Sequence, residues 1–319
     1  MKLYKKAAAC LLTAAMAISM LTACGGGGNG GNGGGNTPGT LPDNSGQIVL
    51  PDIDEGEGGG GEGTETKPTK TPIADVNSSK LAEFKEKYAG TTEFYFEVQT
   101  VEYDEDGSAG GSTDVCVAVK GNKAHTKMIL SGKNQKQQLI EELMLKEFDY
   151  NNSYRLLRGS KVAVRTSSYK SHSNDNLSLG TLITDKLPNQ MWSTKVKVGP
   201  TEYYAEVYKT DYRECTVCFT KDGKPVYQFE RRLSTKQLES ATLYKTIQVG
   251  SGTSKGLCAL PTGTKTYSFD DNTGTLIDAN GNKFTLQEDA TTGIKVLDQT
   301  GKDVTDDFKW LTDFFEMMS

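Results

Sequence analysis

Residues 201–233 read TEYYAEVYKTDYRECTVCFTKDGKPVYQFERRL, and they carry the clearest strand pattern in the chain. Apolar and polar side chains alternate along it with a period of two, which is the side-chain spacing of a β-strand. Asp222-Gly223 marks a tight turn. The stretch therefore predicts three strands, of which the last two form a hairpin, and ESATLYKTIQVG (239–250) predicts one more.

The segments upstream extend this pattern. Residues 76–90, VNSSKLAEFKEKYAG, predict a short helix capped by Asn77 or Ser78. Its apolar residues share one face: Leu81, Phe84 and Tyr88. FYFEVQTV and the residues after it predict a meander of hairpin strands. Residues 134–148 stay open, because their residue types favour a helix whereas their position favours a strand.

The order of elements is one leading helix followed by long antiparallel strands. This order excludes a doubly wound α/β fold, which needs strands and helices in alternation. The predicted class is therefore mainly β (α+β). Basic residues along the middle strands are expected on a solvated strand edge: Arg155, Arg158, Lys161, Arg165 and Lys170.

The C-terminal residues 269–319 predict a small appendage of β-hairpins and a helix. GTLIDANGNKFTLQ predicts a hairpin with Asn280-Gly281 in a type I′ turn, and GIKVLDQTGKDV suggests a second one. TDDFKWLTDFFEMMS predicts a helix capped by Thr305, with two apolar stripes. Packing against the adjacent hairpins explains both stripes; a lid or a partner surface is the alternative.

Five features together resemble the lipoprotein-carrier superfamily, which includes LolA and LppX-like lipoproteins. They are the leading amphipathic helix, FYFEVQTV, YYAEVY, CFTKDGKPVYQF and CALPTGTKTY, and they span about residues 78–268. The resemblance implies a curved antiparallel sheet, an unclosed half-barrel with a few covering helices. It also implies an apolar cavity between the sheet and the helices that holds acyl chains.

The strands supply candidate residues for the wall of that cavity. Period two directs one alternate set of side chains inwards, and the sequence does not say which set. The candidates are Phe94, Phe96, Val98, Val115, Val117, Tyr203, Ala205, Val217 and Phe219.

The N-terminus has the three parts of a secretory signal peptide: lysines, a short apolar run and small residues before a cleavage point. Its end, LTAC, resembles a bacterial lipobox, which implies a diacylglyceryl group on the Cys24 sulfur, with acyl chains such as palmitate. A chance cysteine after an ordinary signal is the alternative. The lipobox residues are Leu21, Thr22, Ala23 and Cys24.

The chain therefore divides into a signal peptide (1–24), a disordered Gly-rich linker (25–75), a half-barrel domain (76–268) and the appendage (269–319). The linker composition cannot bury enough apolar surface to fold. Removing residues 1–24 takes away three lysines and no acidic residue, which changes the net charge from −5 to −8. This acidic balance argues against a nucleic-acid partner.

No catalytic residue, metal ligand or cofactor is assigned. His125 and His172 lack metal-ligand spacing, and no nucleophile motif is present. Cys215 and Cys218 lie three apart on a strand, so they point to opposite faces and are not expected to pair. The cysteines are expected either to be buried thiols or to form a disulfide that involves Cys116 or Cys258.

The sequence thus predicts a lipoprotein of the Gram-positive cell envelope. It would be anchored by its N-terminal lipid to the extracytoplasmic face of the cell membrane, and would bind a lipid or another apolar ligand without catalysis. A ligand-free module that binds an envelope protein is the first alternative. A hydrolase with an acidic site is the second, because two carboxylates suffice for a glycosidase.

Overall fold

The computed structural model describes residues 41, 48–51, 68–133, 137–144, 153–166, 178–184, 186–270, 272–289 and 293–317. The predicted signal peptide, the lipobox with Cys24, most of the predicted linker, Lys170 and His172 lie outside these residues. The helices are α1 (Lys80–Tyr88) and α2 (Leu311–Met317), with 3-10 turns at Val76–Ser78, Leu179–Thr181 and Thr305–Phe308.

Seventeen strands cover most of the described chain. They are β1 (Ile48–Val49), β2 (Thr71–Pro72), β3 (Glu93–Tyr103), β4 (Ala109–Lys120), β5 (Lys123–Gly132), β6 (Gln138–Met144), β7 (Ser153–Leu157), β8 (Val162–Thr166), β9 (Met191–Val198), β10 (Thr201–Lys209), β11 (Arg213–Phe219), β12 (Pro225–Arg232), β13 (Leu238–Val249), β14 (Lys265–Asp270), β15 (Thr275–Asp278), β16 (Lys283–Asp289) and β17 (Gly293–Asp298).

These strands form one curved, unclosed sheet, and the predicted mainly-β half-barrel is confirmed. The pairing runs from β9 through β10, β11, β12, β13, β3, β4, β5, β6, β7, β8, β14, β15 and β16 to β17. The short strands β1 and β2 pair with the outer edge of β9. Within the described residues, no pairing joins β9 to β17.

One pair of neighbours, β8 and β14, is parallel, whereas all others are antiparallel. The parallel pairing is possible because residues 250–264 carry the chain from β13 back across one face of the sheet. On the way Cys258 Sγ donates to the carbonyl of Ala118 (3.4 Å), and Leu260 packs against β6, β7 and β8. The boundary expected at residues 268–269 lies within β14.

The two faces of the sheet are covered differently. We call the face that packs against α1 the helix face, and the opposite face, crossed by residues 250–264, the loop face. The helix face carries two apolar clusters, one under α1 and one under α2. Leu81, Phe84 and Tyr88 of α1 are buried in the first cluster, so the predicted apolar face of this helix is confirmed.

The N-terminus of α1 is bound to the sheet by a carboxylate. The backbone N–H groups of Lys80 and Leu81 donate to Oε1 (2.7 Å) and Oε2 (3.0 Å) of Glu206, a fully buried residue of β10. Ser79 Oγ accepts from the N–H of Ala82 (3.1 Å). The first three donors of the helix, which have no partner inside it, are thereby satisfied.

The expected cap at Asn77 or Ser78 is wrong, because these residues belong to a preceding 3-10 turn. Asp75 caps that turn by accepting from the N–H of Asn77 (3.0 Å). The helix proper therefore begins one residue later, after Ser79.

The turn Leu179–Thr181 fixes α1 from the other side. A Cβ atom on Gly180 would lie 2.8 Å from the carbonyl oxygen of Lys85, which is closer than packed side chains allow. Glycine therefore permits the backbone of this turn to touch the helix. Leu179, Leu182 and Ile183 join the cluster under α1.

The C-terminal helix packs against the adjacent strands, as the first of the two interpretations predicted. Trp310, Leu311 and Phe314 are buried against apolar residues of β7, β8, β14, β15, β16 and β17. The expected cap by Thr305 is wrong. Thr305 opens a 3-10 turn, and its N–H donates to Oδ1 of Asp303 (3.1 Å), while its Oγ1 accepts from Val296 N–H (2.9 Å).

Three other local predictions are settled by the structure. The described part of residues 134–148 forms strand β6, because pairing with β5 and β7 overrides helix propensity. The hairpin at Asn280-Gly281 is confirmed, but its turn is not type I′. Gly281 alone has a positive φ (84°), and its N–H donates to the Asp278 carbonyl (3.1 Å).

The expected strand edge of basic residues is wrong, although Arg158 and Lys161 are exposed as predicted. Strands β7 and β8 lie inside the sheet, because β14 pairs with β8. Arg155 is consequently buried, and Arg158 binds a buried glutamate.

Two pieces of the predicted linker lie on the sheet. Strands β1 and β2 belong to it, and Lys70 and Arg231 both bind the fully buried carboxylate of Glu214. Arg231 Nη2 also donates to the carbonyl of Pro51 (2.5 Å). The segments next to β1 and β2 are therefore tied to the sheet by a buried charge cluster.

Within the described residues, neither helix has the length and apolarity needed to span a bilayer.

We predict that Glu206→Ala destabilises the protein by roughly 2–4 kcal/mol, because it leaves buried N–H groups of α1 without acceptors. Glu202→Ala, on the same strand, removes an exposed ion pair with Lys195 and should change the free energy of unfolding by less than about 0.5 kcal/mol. Urea unfolding measures both. Equal values for the two variants would contradict the role of Glu206.

Candidate functional site

The predicted cavity residues divide between the two faces of the sheet. Seven of them lie on the helix face in the cluster under α1: Phe94, Phe96, Val98, Val115, Val117, Val217 and Phe219. Tyr203 and Ala205 lie on the loop face in another cluster. The strand register explains this division, because cross-strand partners point to the same face. Ala205 pairs with Cys218 on the loop face, whereas Val217 pairs with Glu206 on the helix face.

The seven helix-face residues belong to one apolar cluster, five of them on the adjacent strands β3 and β4 and two on β11. Cross-strand pairing places Phe94, Phe96 and Val98 beside Val119, Val117 and Val115, respectively. The rings of Phe94 and Phe96 are stacked, with their centroids 6.1 Å apart. Helix α1 and the turn at Leu179–Thr181 cover this surface closely, so Phe94, Val117 and Val217 are 0% exposed.

A polar group borders the apolar surface on the same face. Tyr244 Oη donates to Gln228 Oε1 (2.7 Å), and Gln228 Nε2 donates to Glu230 Oε1 (3.1 Å). Arg213 Nη1 donates to the other carboxylate oxygen of Glu230 (3.1 Å). Burial raises the pKa of Glu230, and Arg213 opposes this effect.

A second polar group lies between the two apolar clusters of the helix face. Thr126, Glu142 and Arg155 follow one another on β5, β6 and β7 as cross-strand neighbours. All three are buried, and Arg155 Nε lies 3.1 Å from Glu142 Oε1. The helix face therefore combines apolar surface with buried polar groups, an arrangement suited to an amphiphilic molecule.

The loop face carries a buried charged group of its own. His125 Nε2 lies 2.5 Å from Oε1 of Glu141, and Arg158 Nε donates to both carboxylate oxygens (2.8 and 2.7 Å). Burial raises the pKa of Glu141, but the hydrogen bonds from His125 and Arg158 outweigh it and lower the pKa to about 2. This geometry satisfies the carboxylate and stabilises the middle of the sheet.

The four described cysteines are free thiols. Cys215 lies on the helix face and Cys218 on the loop face, which confirms that their strand separates them. Cys116 and Cys258 pack in one small cluster with Tyr95 and Ala118, and the alternative of a disulfide is not realised there. Among the described residues, no group of His, Cys, Asp and Glu side chains is placed to hold a metal ion.

Sequence reasoning missed three important residues: Glu206, Glu142 and Arg155. Each is a charged residue that lies two positions from at least one apolar residue of the same strand, and residues two apart share a face. Glu206, for example, lies between Tyr204 and Tyr208 on one face of β10. This strand parity was the available signal. Charged residues in strands are usually exposed, so parity alone does not identify these residues as buried.

We predict that acid weakens the protein through Glu141. The pKa of this carboxyl is lowered, so its contribution to stability is complete above about pH 4.5 and is lost as the pH falls towards 2. Glu141→Gln should therefore lower the free energy of unfolding by roughly 2–4 kcal/mol at pH 7. The difference in this free energy between the variant and wild type should shrink as the pH falls towards 2. Urea unfolding at pH 7, 4.5 and 3 measures this.

Glu86→Gln, an exposed change on α1, serves as the control and should track wild type at each pH. A Glu141→Gln difference that stays constant with pH would contradict the assignment.

We also predict that the thiols of the native protein react slowly. Burial raises the pKa of Cys215 to about 12 and raises the pKa values of Cys116, Cys218 and Cys258 as well. A disulfide reagent at pH 8 should label half-buried Cys116 first and the other three only after unfolding in guanidinium. Rapid labelling of Cys215 and Cys218 in the native protein would contradict this burial.

No protein-family model matches this chain, and a search of curated proteins gives no match either. The function therefore has to be inferred from the placement of the chain's own side chains.

Proposed function

We propose that this protein is an extracytoplasmic lipoprotein that binds a lipid or another apolar ligand between α1 and the helix face. The observation that carries the proposal is the shared apolar surface of Phe94, Phe96, Val115, Val117 and their neighbours. Short elements cover it: a nine-residue helix and one 3-10 turn. The proposal includes no catalytic step and no cofactor.

Helix α1 would be the element that moves to admit the ligand. Its attachment at the N-terminus depends on Glu206 and Ser79, and its apolar face contributes Leu81, Phe84 and Tyr88. An acyl chain offers the same apolar contacts to the sheet as these side chains do. A ligand would thus replace α1 on the sheet, and the helix would move outwards.

The anchor is proposed from the sequence. Cys24 and the lipobox lie outside the described residues, and their pattern supports lipid attachment at the extracytoplasmic face of the cell membrane. A diacylglyceryl cysteine carries at least two acyl chains, which suffices for stable anchoring.

One observation favours a second candidate, a ligand-free module that binds another envelope protein. Phe94, Val117 and Val217 are 0% exposed, so the helix face is tightly packed as it stands. A packed core needs no ligand to be stable.

We predict that residues 25–319, which retain every residue that the structure describes, take up added lipid. Native mass spectrometry of protein purified without detergent should show lipid adducts that organic solvent extracts. Glu206→Gln should accelerate uptake of added phospholipid severalfold, because it weakens the attachment of α1. Glu202→Gln, exposed on the same strand, should leave uptake unchanged.

A clean apo mass with no uptake by any of these proteins would reject the ligand-binding proposal in favour of the interaction module. Uptake at equal rates in wild type and Glu206→Gln would keep the ligand and reject α1 as the moving element.

A further inference from the structure

We infer that Arg155 binds the anionic head of an amphiphile, a carboxylate or a phosphate, whose apolar tail lies on the helix face. The inference rests on the proposed function and names the chemical class of its ligand. It starts from a guanidinium that the fold buries without fully pairing it.

Arg155 is 5% exposed, although arginine is almost never buried unless its donors are satisfied. Its Nε lies 3.1 Å from Glu142 Oε1. Its Nη1 is buried, and no acceptor for it exists within the part of the chain that the structure describes. Leaving a buried charged donor unpaired costs free energy that an anionic ligand would recover.

Arg158, the next arginine along the chain, is paired differently from Arg155. Arg158 follows β7 by one residue and binds Glu141 on the loop face. Its Nε and Nη2 donate three hydrogen bonds to that carboxylate. The two arginines lie three residues apart, on opposite faces, and on the helix face one nitrogen is left for another acceptor.

The surroundings of Arg155 determine the rest of the ligand. One cross-strand direction leads through Glu142 and Thr126 to Val117 and Phe96 of the cluster under α1. The other direction leads to Val164 of the cluster under α2. An anion bound here is flanked by apolar surface on both sides, so a small hydrophilic anion fits less well than one carrying an acyl chain.

The unpaired Nη1 of Arg155 is a hydrogen-bond donor on a cationic group, so it favours an anion over a cation. Glu142 already holds one side of the guanidinium, and the buried Thr126 hydroxyl, beside Glu142, can donate a further hydrogen bond. The planar guanidinium fork suits the paired oxygens of a carboxylate or phosphate.

The test compares three twelve-carbon probes: dodecanoate and dodecyl phosphate below their micelle concentrations, and 1-dodecanol below its solubility limit. Isothermal titration calorimetry with residues 25–319 measures each dissociation constant. We expect wild type to bind at least one of the two anions about tenfold more tightly than the alcohol. The tighter anion identifies the head group as carboxylate or phosphate.

Arg155→Gln should abolish this preference, lowering affinity for the anion about tenfold and leaving that for dodecanol unchanged. Arg155→Lys keeps the charge without the fork and should retain part of the preference. Arg158→Gln is the matched control and should retain all of it. If Arg155→Gln fails to fold, the wild-type comparison and Arg155→Lys still decide the question.

The experiment distinguishes failure of the proposed ligand binding from failure of the role proposed for Arg155. If wild type binds none of the three probes, the proposed function itself is rejected. If dodecanol binds as tightly as both anions, or Arg155→Gln keeps the anion preference, the apolar site stands and Arg155 is not its anchor.

Discussion

The buried carboxylate of Glu206 is the interaction on which the arrangement of the helix face depends. Two backbone N–H groups of α1 have no other acceptor in the described chain, and they fix where the helix begins and how it lies on β10. A nine-residue helix is marginal by itself, so its position follows from this contact and from apolar burial. Everything proposed for the helix face requires α1 to be held there and to be releasable.

The sheet contains several groups of buried charged side chains, and they differ in what they do. Glu214 joins two N-terminal segments to the sheet, and Glu141 joins β5 to the turn after β7. Both carboxylates are surrounded by donors, so they stabilise the fold without inviting a ligand. Within the part of the chain that the structure describes, each of the three groups keeps one buried nitrogen without a partner: Nε of Arg231, Nδ1 of His125 and Nη1 of Arg155. Arg155 differs in its position, because it lies on the helix face between the two apolar clusters, and function is therefore sought there.

The alternation in residues 201–233 was enough to predict the strands, the hairpin and the fold class, because each face of a strand repeats every two residues. It could not tell which face carries the cavity candidates, so Tyr203 and Ala205 were grouped with residues of the other side. The parallel pairing of β8 and β14 was also beyond reach, since the 250–264 connection has no periodic signal. Without that pairing β7 and β8 are expected at an edge, so the parity that groups Arg155 with Leu157 does not by itself place Arg155 in the interior.

The parallel pair also bears on how the chain acquires its structure. Residues 162–166 and 265–269 are neighbours in space but about a hundred positions apart in the chain, and the intervening strands must be arranged before they meet. Contacts of such long sequence separation slow folding, because the loop they close has to be ordered first. In a chain that emerges N-terminus first, β14 and the elements after it would be the last to dock. Until they do, β8 presents an open edge, and the chain is most exposed to mispairing with another copy of itself in that interval.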